Sequence, residues 1–275
     1  MEIVRQRGGC IQLLHSLEEI NRPYLLISDV HFDSPKCERK MLQRHLDEAV
    51  KLNAGILSFG DFFDAMQGRE DRRRNKSDLR PENKRADYLD SLVEEAANFL
   101  APYRDNLVLF TQGNHESSVL NKLETDLLKR LVDTMGGKTL YGGYQGFIRF
   151  SHKVSTTSTR GTTLFWHHGG FHGTITKGTL AINRYASIAP DADIVVSGDT
   201  HDRWQAEHPM YRLTQNGTTK VVPQLHIKVG NYKNDFESGS GWAQEKIIFP
   251  KSLGGWWLRF ENINDRIQPI ATMTT

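Results

Sequence analysis

The amino-acid sequence predicts an α/β fold in which several strands end beside one another in polar residues. Short apolar runs alternate with segments of helical periodicity between residues 24 and 201, the order expected of βαβ units. Five of the apolar runs lead directly into Asp, Asn or His. Because the carboxyl ends of parallel strands meet at one edge of a sheet, we expect these five sets of polar side chains to lie together.

Composition favours one soluble domain that spans residues 1–275. A chain with 38% hydrophobic and 25% charged residues is typical of a globular protein and long enough to bury a core. With only Cys10 and Cys37, it offers neither a disulfide framework nor a Cys-type zinc site. Charges occupy the first seven residues, where a signal peptide needs apolar ones, and no long apolar span occurs. We therefore expect a cytoplasmic protein that does not contact a membrane.

The first buried strand follows a polar lead-in over residues 1–23, for which an edge strand and one helical turn are predicted. The apolar run at 24–28 enters Asp29 and His31, whose i, i+2 spacing places both side chains on one side. These two residues are the first candidate metal ligands.

A helix with an apolar stripe is predicted over residues 38–53, and a second apolar run follows at 56–59. This run stops at a Gly-Asp-Phe-Phe-Asp segment that supplies Asp61 and Asp64. Strand, helix and strand in this order predict a parallel pair, with both sets of carboxylates at the same edge.

Residues 67–85 are rich in Arg and Lys and precede a helix predicted over 83–101. Two interpretations remain open for this basic segment. It is either a solvated charged face, or a surface that contacts a phosphate backbone through residues such as Arg72 and Arg73.

Three more apolar runs end in polar residues. The run at 107–110 leads to a Gly-Asn-His-Glu segment and a helix predicted over 120–135. The run at 163–166, the last of several β segments, ends in a His-His-Gly-Gly segment, and a helix is predicted over 178–188. The run at 194–197 ends in Gly-Asp-Thr-His. Together these ends contribute Asn114, His115, Glu116, His167, His168, Asp199 and His201.

The segment from 203 to 275 is predicted to be mostly β and to complete a second sheet. The Asn216-Gly217 turn between two strand-like runs predicts a hairpin. Trp242, Trp256 and Trp257 predict aromatic packing over a sheet edge.

Carboxylate, imidazole and amide oxygen together suit a pair of divalent transition ions. One carboxylate can bridge two ions about 3.5–4 Å apart, the spacing used for displacement at phosphorus. Asp61, in the middle strand of the series, is the expected bridge. We expect Mn²⁺, with Fe, Zn, Ni or Mg as alternatives.

The ordered motifs Asp-x-His, Gly-Asp-x-x-Asp, Gly-Asn-His-Glu, His and Gly-x-x-His, over residues 29–201, resemble the calcineurin-like metallophosphoesterase superfamily. The size of the chain and the spacing of its motifs look most like those of stand-alone bacterial or phage enzymes. If the protein is encoded by a phage, we expect it to act in the host cytoplasm. The resemblance implies a four-layer sandwich of two mixed β-sheets flanked by α-helices, with a dinuclear metal site at the carboxyl ends of the strands. It also implies a hydroxide held between the ions as the nucleophile.

The resemblance assigns a role to each motif residue. The first ion would be held by Asp29, His31 and His201, the second by Asn114 and His167, with Asp61 shared. His115 matches the catalytic histidine, and either Glu116 or Asp64 is expected to orient its imidazole. His167 is preferred over His168 because it comes at the end of the strand, before a Gly-Gly turn. His168 is then expected either to support a ligand from behind or to face the substrate. Asn114 would also contact the substrate.

The last motif departs from the family pattern, because Asp199 stands where the family has the first histidine of Gly-His-x-His. Asp199 either ligates the second ion, which favours hard ions such as Mn, Mg or Fe over Zn, or leaves a weak or water-bridged site. A damaged, non-catalytic site is disfavoured because every other motif is intact.

The expected activity is hydrolysis of a phosphodiester, with nucleic acid as the substrate. The Gly-Asp-Phe-Phe-Asp segment is similar to that of DNA-repair nucleases in the superfamily, and a basic segment follows it. Trp204, Trp256 and Trp257 offer rings for base stacking, although core packing is the commoner role. The alternatives are a phosphomonoesterase of nucleotides or phosphoproteins and a non-catalytic protein-binding scaffold; no obligate protein partner is evident.

Overall fold

Two mixed β-sheets pack face to face at the centre of the fold in the computed structural model. The structure describes residues 1–5, 9–65, 79–169, 176–213, 216–236, 249–263 and 266–275. In these residues the strands are β1 (Glu2–Arg5), β2 (Ile11–His15), β3 (Tyr24–Ile27), β4 (Gly55–Phe59), β5 (Leu107–Thr111), β6 (Leu140–Gly142), β7 (Gln145–Lys153), β8 (Thr159–His167), β9 (Ile194–Ser197), β10 (Arg203–Leu213), β11 (Thr219–Val229), β12 (Trp256–Ile263) and β13 (Arg266–Met273). The helices are α1 (Arg39–Lys51), α2 (Tyr88–Leu100), α3 (Asn114–Leu123), α4 (Leu127–Met135) and α5 (Ala181–Ile188).

The six-stranded sheet has the order β13-β12-β3-β4-β5-β6, and the seven-stranded sheet has the order β1-β2-β7-β8-β9-β11-β10. Strands β3 to β6 run parallel, as do β8, β9 and β11. The five strands that lead into the candidate residues, namely β3, β4, β5, β8 and β9, are therefore central strands of the two sheets.

Three apolar cores hold four layers together. Side chains of α1, α2 and α4 pack on the outer face of the six-stranded sheet. A second core fills the space between the sheets, and a third lies between α5 and the outer face of the seven-stranded sheet. The sandwich of two mixed sheets flanked by helices is thus confirmed.

The predicted helix over 120–135 is two helices. Glu124 has a φ of +54°, a left-handed conformation that ends α3. The carboxylate of Asp126 then accepts the backbone N–H of Lys129 at 2.9 Å and caps the start of α4. The apolar stripe extends through both helices, which is why periodicity alone does not reveal the break.

The C-terminal segment contributes to both sheets rather than to one. Strands β10 and β11 form the edge of the seven-stranded sheet, whereas β12 pairs antiparallel with β3 in the other sheet. Trp256 and Trp257 are buried in β12, so they are core residues, and Trp242 lies outside the described residues. The lead-in is more ordered than predicted, because β1 and β2 extend the seven-stranded sheet beyond β7.

Among the helices that the structure describes, none is both long and apolar enough to cross a lipid bilayer.

Candidate metal centre

The polar segments that follow the five strands meet at one end of the sandwich. Backbone pairing continues past the strand ends, since the N–H of Asp29 donates to the carbonyl of Gly60 at 3.0 Å and that of His31 to Asp61 at 3.1 Å. The N–H of Asp199 donates to both carboxylate oxygens of Asp29 at 3.0 Å. These bonds fix the loops to one another, so the side chains they carry have defined positions.

Left-handed backbone is concentrated in these loops. Among the described residues nine non-glycine residues have positive φ, and five of them are candidate ligands, with φ between +48° and +74°: Asp29, His31, Asp61, Asp199 and His201. Such conformations cost about 1–3 kcal/mol each and persist where the surrounding structure enforces them, typically at functional sites. The concentration of strained backbone therefore indicates that the functional site lies at this end of the sandwich.

A first donor cluster consists of Asp29, His31 and His201, whose ligand atoms lie within 4.8 Å of one another. His31 Nε2 lies 3.1 Å from His201 Nε2, and the latter lies 3.5 Å from Asp29 Oδ1. Asp29 and His31 are fully buried. Two imidazole nitrogens and one carboxylate therefore point at a common volume.

A second donor cluster consists of Asp29, Asp61 and His168. His168 Nε2 lies 3.2 Å from Asp61 Oδ2. One terminal amide atom of Asn114 lies 2.9 Å from Asp61 Oδ2, 3.1 Å from Asp199 Oδ1 and 3.1 Å from His168 Nε2. An amide nitrogen there can donate to the carboxylates, whereas an amide oxygen would face only acceptors and would need a cation among them.

The structure brings His168, and not His167, into this cluster, contrary to the preference drawn from the sequence. On β8 the side chain of Trp166 faces the core between the sheets, and His168, two residues on, lies on the same side. His167 points to the opposite face, where its Nδ1 lies 3.3 Å from the hydroxyl of Tyr185 on α5. Strand alternation thus outweighs proximity to the Gly-Gly turn.

A third group of donor atoms joins His31 to His115 through Asp64. Asp64 Oδ1 lies 2.8 Å from His31 Nδ1 and accepts a hydrogen bond from Lys233 Nζ at 2.9 Å. His115 Nδ1 lies 2.6 Å from the backbone carbonyl oxygen of Asp64 and 3.8 Å from its carboxylate. Asp64 therefore holds a candidate ligand with its side chain and the candidate catalytic histidine with its main chain.

Glu116 contacts backbone rather than the imidazole of His115. Its buried carboxylate accepts the N–H groups of Asp61 at 3.1 Å, Phe63 at 2.9 Å and Gly113 at 2.9 Å. It fixes the two loops that carry Asp61 and Asn114. Of the two carboxylates considered for orienting His115, the geometry favours Asp64.

Two glycines are required by close approach of neighbouring atoms. A Cβ at Gly113 would lie 2.1 Å from Asp61 Oδ1, and a Cβ at Gly198 would lie 2.5 Å from Asp29 Oδ2. Both glycines precede candidate residues in their motifs, so the loops can bring carboxylates this close only where a side chain is missing.

Electrostatics at this end reflect buried carboxylates beside imidazoles. Burial raises the pKa of Asp29 to about 7, with Asp61 adding to the effect and His168 opposing it. Burial acts against a charge on His168, yet Asp61 and Asp29 raise its pKa to about 10. Burial likewise acts to raise the pKa of Asp61, but the charges of His168 and His115 hold it below its usual range. Positive charge on the neighbouring imidazoles stabilises the ionised carboxylates, and a bound cation would do the same.

The donor set fits a divalent metal. Carboxylate, imidazole and amide groups converge from separate strands, and the carboxylate of Asp64 lies beside a candidate histidine ligand, His31. Neutral imidazole is the ligand form, so metal binding displaces any proton that His168 carries.

Sequence reasoning missed two charged residues of the site. Lys233, in the loop after β11, reaches Asp64, and no local pattern marks it. The buried carboxylate of Asp33 accepts the N–H of Asp64 at 2.6 Å and of Ala65 at 2.9 Å. Its position two residues after His31, in an Asp-x-His-x-Asp series, is a signal that was available.

The basic segment is described only in part. Arg72 and Arg73, the proposed phosphate contacts, lie outside the described residues. Arg80 donates to the carbonyl oxygens of Ser34 and Cys37, and Arg85 pairs with Asp87 and Glu94. Two of the described arginines of this segment are therefore already committed within the protein.

Comparison with solved structures returns proteins of low sequence identity. A calcineurin-like phosphoesterase, YfkN of Bacillus subtilis, is 10% identical, with 92% of this chain and 90% of that chain covered and a TM-score of 0.47. Vacuolar protein sorting 29 of Cryptosporidium parvum is 12% identical, with 93% and 99% covered and a TM-score of 0.40. A search of curated proteins found no match.

A family model, described as calcineurin-like phosphoesterase, matches residues 22–203, which is more than half of the chain. The match contains all five loops of the candidate metal centre. The chain therefore belongs to the calcineurin-like phosphoesterase family, whose chemistry is the metal-dependent hydrolysis of phosphate esters.

Proposed function

We propose that this protein is a phosphodiesterase that uses two divalent ions and acts on nucleic acid. The observation that carries the proposal is the pair of donor clusters, which share Asp29 and lie beside His115. Two adjacent cation sites with a histidine at their edge are the arrangement that suits displacement at phosphorus.

We assign the ligands of the two ions from the donor clusters together with the family resemblance. Asp29, His31 and His201 would hold the first ion, and Asn114, His168 and Asp199 the second, with Asp61 shared. Bound divalent ions supply Lewis acidity to water and to the phosphoryl oxygens. His168 takes the place that the sequence assigned to His167, because its Nε2 lies beside Asp61 and Asn114.

His115 is proposed to protonate the leaving oxygen or to contact the phosphate. Its Nδ1 faces the carbonyl of Asp64, so Nε2 is the nitrogen directed at the donor clusters, 3.8 Å from Asp61 Oδ2. Burial lowers the pKa of this imidazole, but Asp61 and Asp64 raise it above the usual value. A protonated, oriented imidazole is what a general acid requires.

The proposed metal is Mn²⁺. The donors proposed for the second ion are the carboxylates of Asp61 and Asp199, the amide of Asn114 and a single imidazole, that of His168. This set is richer in oxygen than the family pattern because Asp199 stands in place of a histidine. Hard oxygen donors favour Mn²⁺, Mg²⁺ or Fe²⁺ over Zn²⁺.

Nucleic acid is proposed as the substrate class because the loop that carries Asp61 and Asp64 resembles that of DNA-repair nucleases and continues into the basic segment. A phosphomonoesterase is the second candidate. It is favoured by the internal contacts of Arg80 and Arg85, which leave fewer cations to follow a phosphate backbone.

The test compares hydrolysis of a model diester, a model monoester, single-stranded DNA and double-stranded DNA, each with Mn²⁺. We expect turnover of the diester and of DNA, lost in His115→Ala. Monoester turnover without diester or DNA turnover would overturn the proposal in favour of the second candidate. Bound metal without turnover of any substrate would favour a non-catalytic scaffold.

A further inference from the structure

A buried lysine lies beside the metal centre, on the other face of the seven-stranded sheet. Ile227 and Val229 of β11 belong to the core between the sheets, so Lys228 between them faces the opposite side. Register pairs Lys228 with Ser197 of β9, two residues before Asp199. The lysine is therefore level with the end of the strand that delivers the last motif.

Lys228 is only 2% exposed, which is unusual for a lysine. Among the described residues its Nζ has no carboxylate within ion-pairing distance and donates no hydrogen bond. Asp202, a nearby carboxylate, pairs instead with Lys251, whose Nζ lies 2.8 Å from Asp202 Oδ1. Burial lowers the pKa of Lys228, and the charges of Asp29, Asp199 and Asp202, none of which contacts its Nζ, oppose that shift. The donors of this ammonium are therefore left without an acceptor among the described residues, a position that suits an anion.

A second polar group without a partner lies next to it. The hydroxyl of Thr200 is buried and has no hydrogen-bond partner in the part of the chain that the structure describes. A Cβ built on Gly178 would lie 3.6 Å from Lys228 Nζ and 3.6 Å from Thr200 Cγ2, so both side chains end at the same turn. Thr200 follows Asp199 directly, which places this pair beside the second donor cluster.

We propose that Lys228 and Thr200 bind a phosphate oxyanion, namely a phosphate group of the substrate other than the one that is cleaved. The substrate part of this inference rests on the proposed function. An ammonium and a hydroxyl are both donors, and charge-assisted hydrogen bonds to phosphate oxygens would satisfy both. A substrate with a second phosphate is then preferred over one with the scissile phosphate alone.

The first experiment measures the oxyanion site without catalysis. The thermal midpoint of protein treated with a chelator is recorded against inorganic phosphate and against chloride at equal ionic strength. We expect phosphate to raise the midpoint of wild type by a few degrees more than chloride does. Lys228→Met should lose this difference, and Lys251→Met, which removes a paired lysine at the same end, should keep it.

The second experiment uses the metal-loaded enzyme and two thymidine dinucleotides, one with a 5′-terminal phosphate and one without. Wild type and Lys251→Met should prefer the phosphorylated dinucleotide by about 10-fold or more in kcat/KM, the loss expected for one charge-assisted hydrogen bond. Lys228→Met should cleave both at equal rates.

A phosphate effect on the midpoint that survives in Lys228→Met would overturn the site. A phosphate effect that depends on Lys228, without any substrate preference, would overturn its assignment to the substrate. If neither dinucleotide is cleaved, the proposed function fails, and the thermal experiment still decides the oxyanion site. Thr200→Val, a substitution of equal size, tests the same site if Lys228→Met does not fold.

Discussion

Two pairs of histidines lie at opposite ends of the sheets, and they differ in what surrounds them. His31 and His201, in the metal centre, have ring centroids 5.0 Å apart with the carboxylate of Asp29 beside them. His15 and His152 are stacked at 4.4 Å. We call the second pair the distal histidines.

Aromatic rings, rather than carboxylates, surround the distal histidines. His15 Nε2 lies 2.5 Å from the hydroxyl of Tyr24, the first residue of β3, and His152 lies 4.8 Å from the ring of Phe260. Both ring nitrogens of His152 are buried, and neither has a hydrogen-bond partner among the residues that the structure describes. Burial lowers the pKa of His15 to about 4 and that of His152 to about 3, so both are neutral.

The comparison shows that burial of a histidine does not by itself indicate a site. Burial lowers the pKa of His31 and His201 as it lowers that of the distal histidines, so neutral rings occur at both ends. At the metal centre, however, the imidazoles share their volume with carboxylates on left-handed backbone, and the charges of Asp61 and Asp29 raise the pKa of the neighbouring His168. Carboxylate neighbours and enforced backbone strain are the features that distinguish a cation site from a histidine used as a core side chain.

The largest expected effect is on turnover, which should depend on a histidine of the metal centre and not on a distal histidine. His115→Ala should lower turnover by about 10²–10⁴-fold, the usual contribution of a general acid–base group, while metal content stays near wild type. His152→Phe is the matched control, because it removes a buried histidine from the other end and should leave turnover unchanged. Steady-state kinetics with elemental analysis makes the test, and unchanged turnover in His115→Ala would remove that residue from the mechanism.

The next effect is on metal content, and it distinguishes two adjacent histidines at the end of β8. His168→Ala should lose about one equivalent of metal, because its Nε2 lies beside Asp61, whereas His167→Ala should retain both ions. The two residues are adjacent, so the pair controls for position in the chain. Loss of metal in His167→Ala alone would restore the assignment drawn from the sequence.

Asp199 tests whether a hard oxygen sets the metal preference of the second cluster. Asp199→Ala should also lose about one equivalent of metal, and Asp199→His, which restores the family pattern, should shift preference from Mn²⁺ toward Zn²⁺. Competition between the two metals, followed by elemental analysis, measures the shift. Full metal retention in Asp199→Ala would show that this carboxylate is not a ligand.

Much of the fold is predictable because its signals are local. Apolar runs and helical stripes mark β3, β4, β5, β8 and β9 and the helices between them, and the polar residue after each run marks the site. The pairing of β12 with β3 was not predictable, because residues more than 200 positions apart form it and no local pattern records it.

The site shows the same division. Spacing identifies Asp29, His31 and His201, since each belongs to a short motif. The choice between His167 and His168 needed the direction of the strand faces, since alternation shows that the two point apart but not which one faces the other sheet. Lys233 approaches Asp64 from a distant loop, and only the tertiary structure reveals it.

The smallest expected effect is a pH dependence of stability from the distal histidines. An unfolded histidine titrates near its ordinary pKa of about 6.5, whereas His152 in the folded protein titrates at about 3. The unfolded state therefore binds more protons between these values. Stability from the neutral ring is complete above about pH 6.5 and is lost as the pH falls toward 3.

His15 adds a contribution of the same sign, modified by the nearby charges of Glu19, Arg22 and the N-terminus. His152→Phe removes the proton-binding difference of its own ring. When the pH falls from 7 to 4.5, the free energy of unfolding should therefore decrease by about 2–3 kcal/mol less in the variant than in wild type. Urea unfolding at both pH values measures this difference, and the packing cost of the larger ring cancels because it is the same at each pH. Equal pH dependence in variant and wild type would mean that water or a proton reaches His152, and the contrast between the two ends of the molecule would then rest on the carboxylates alone.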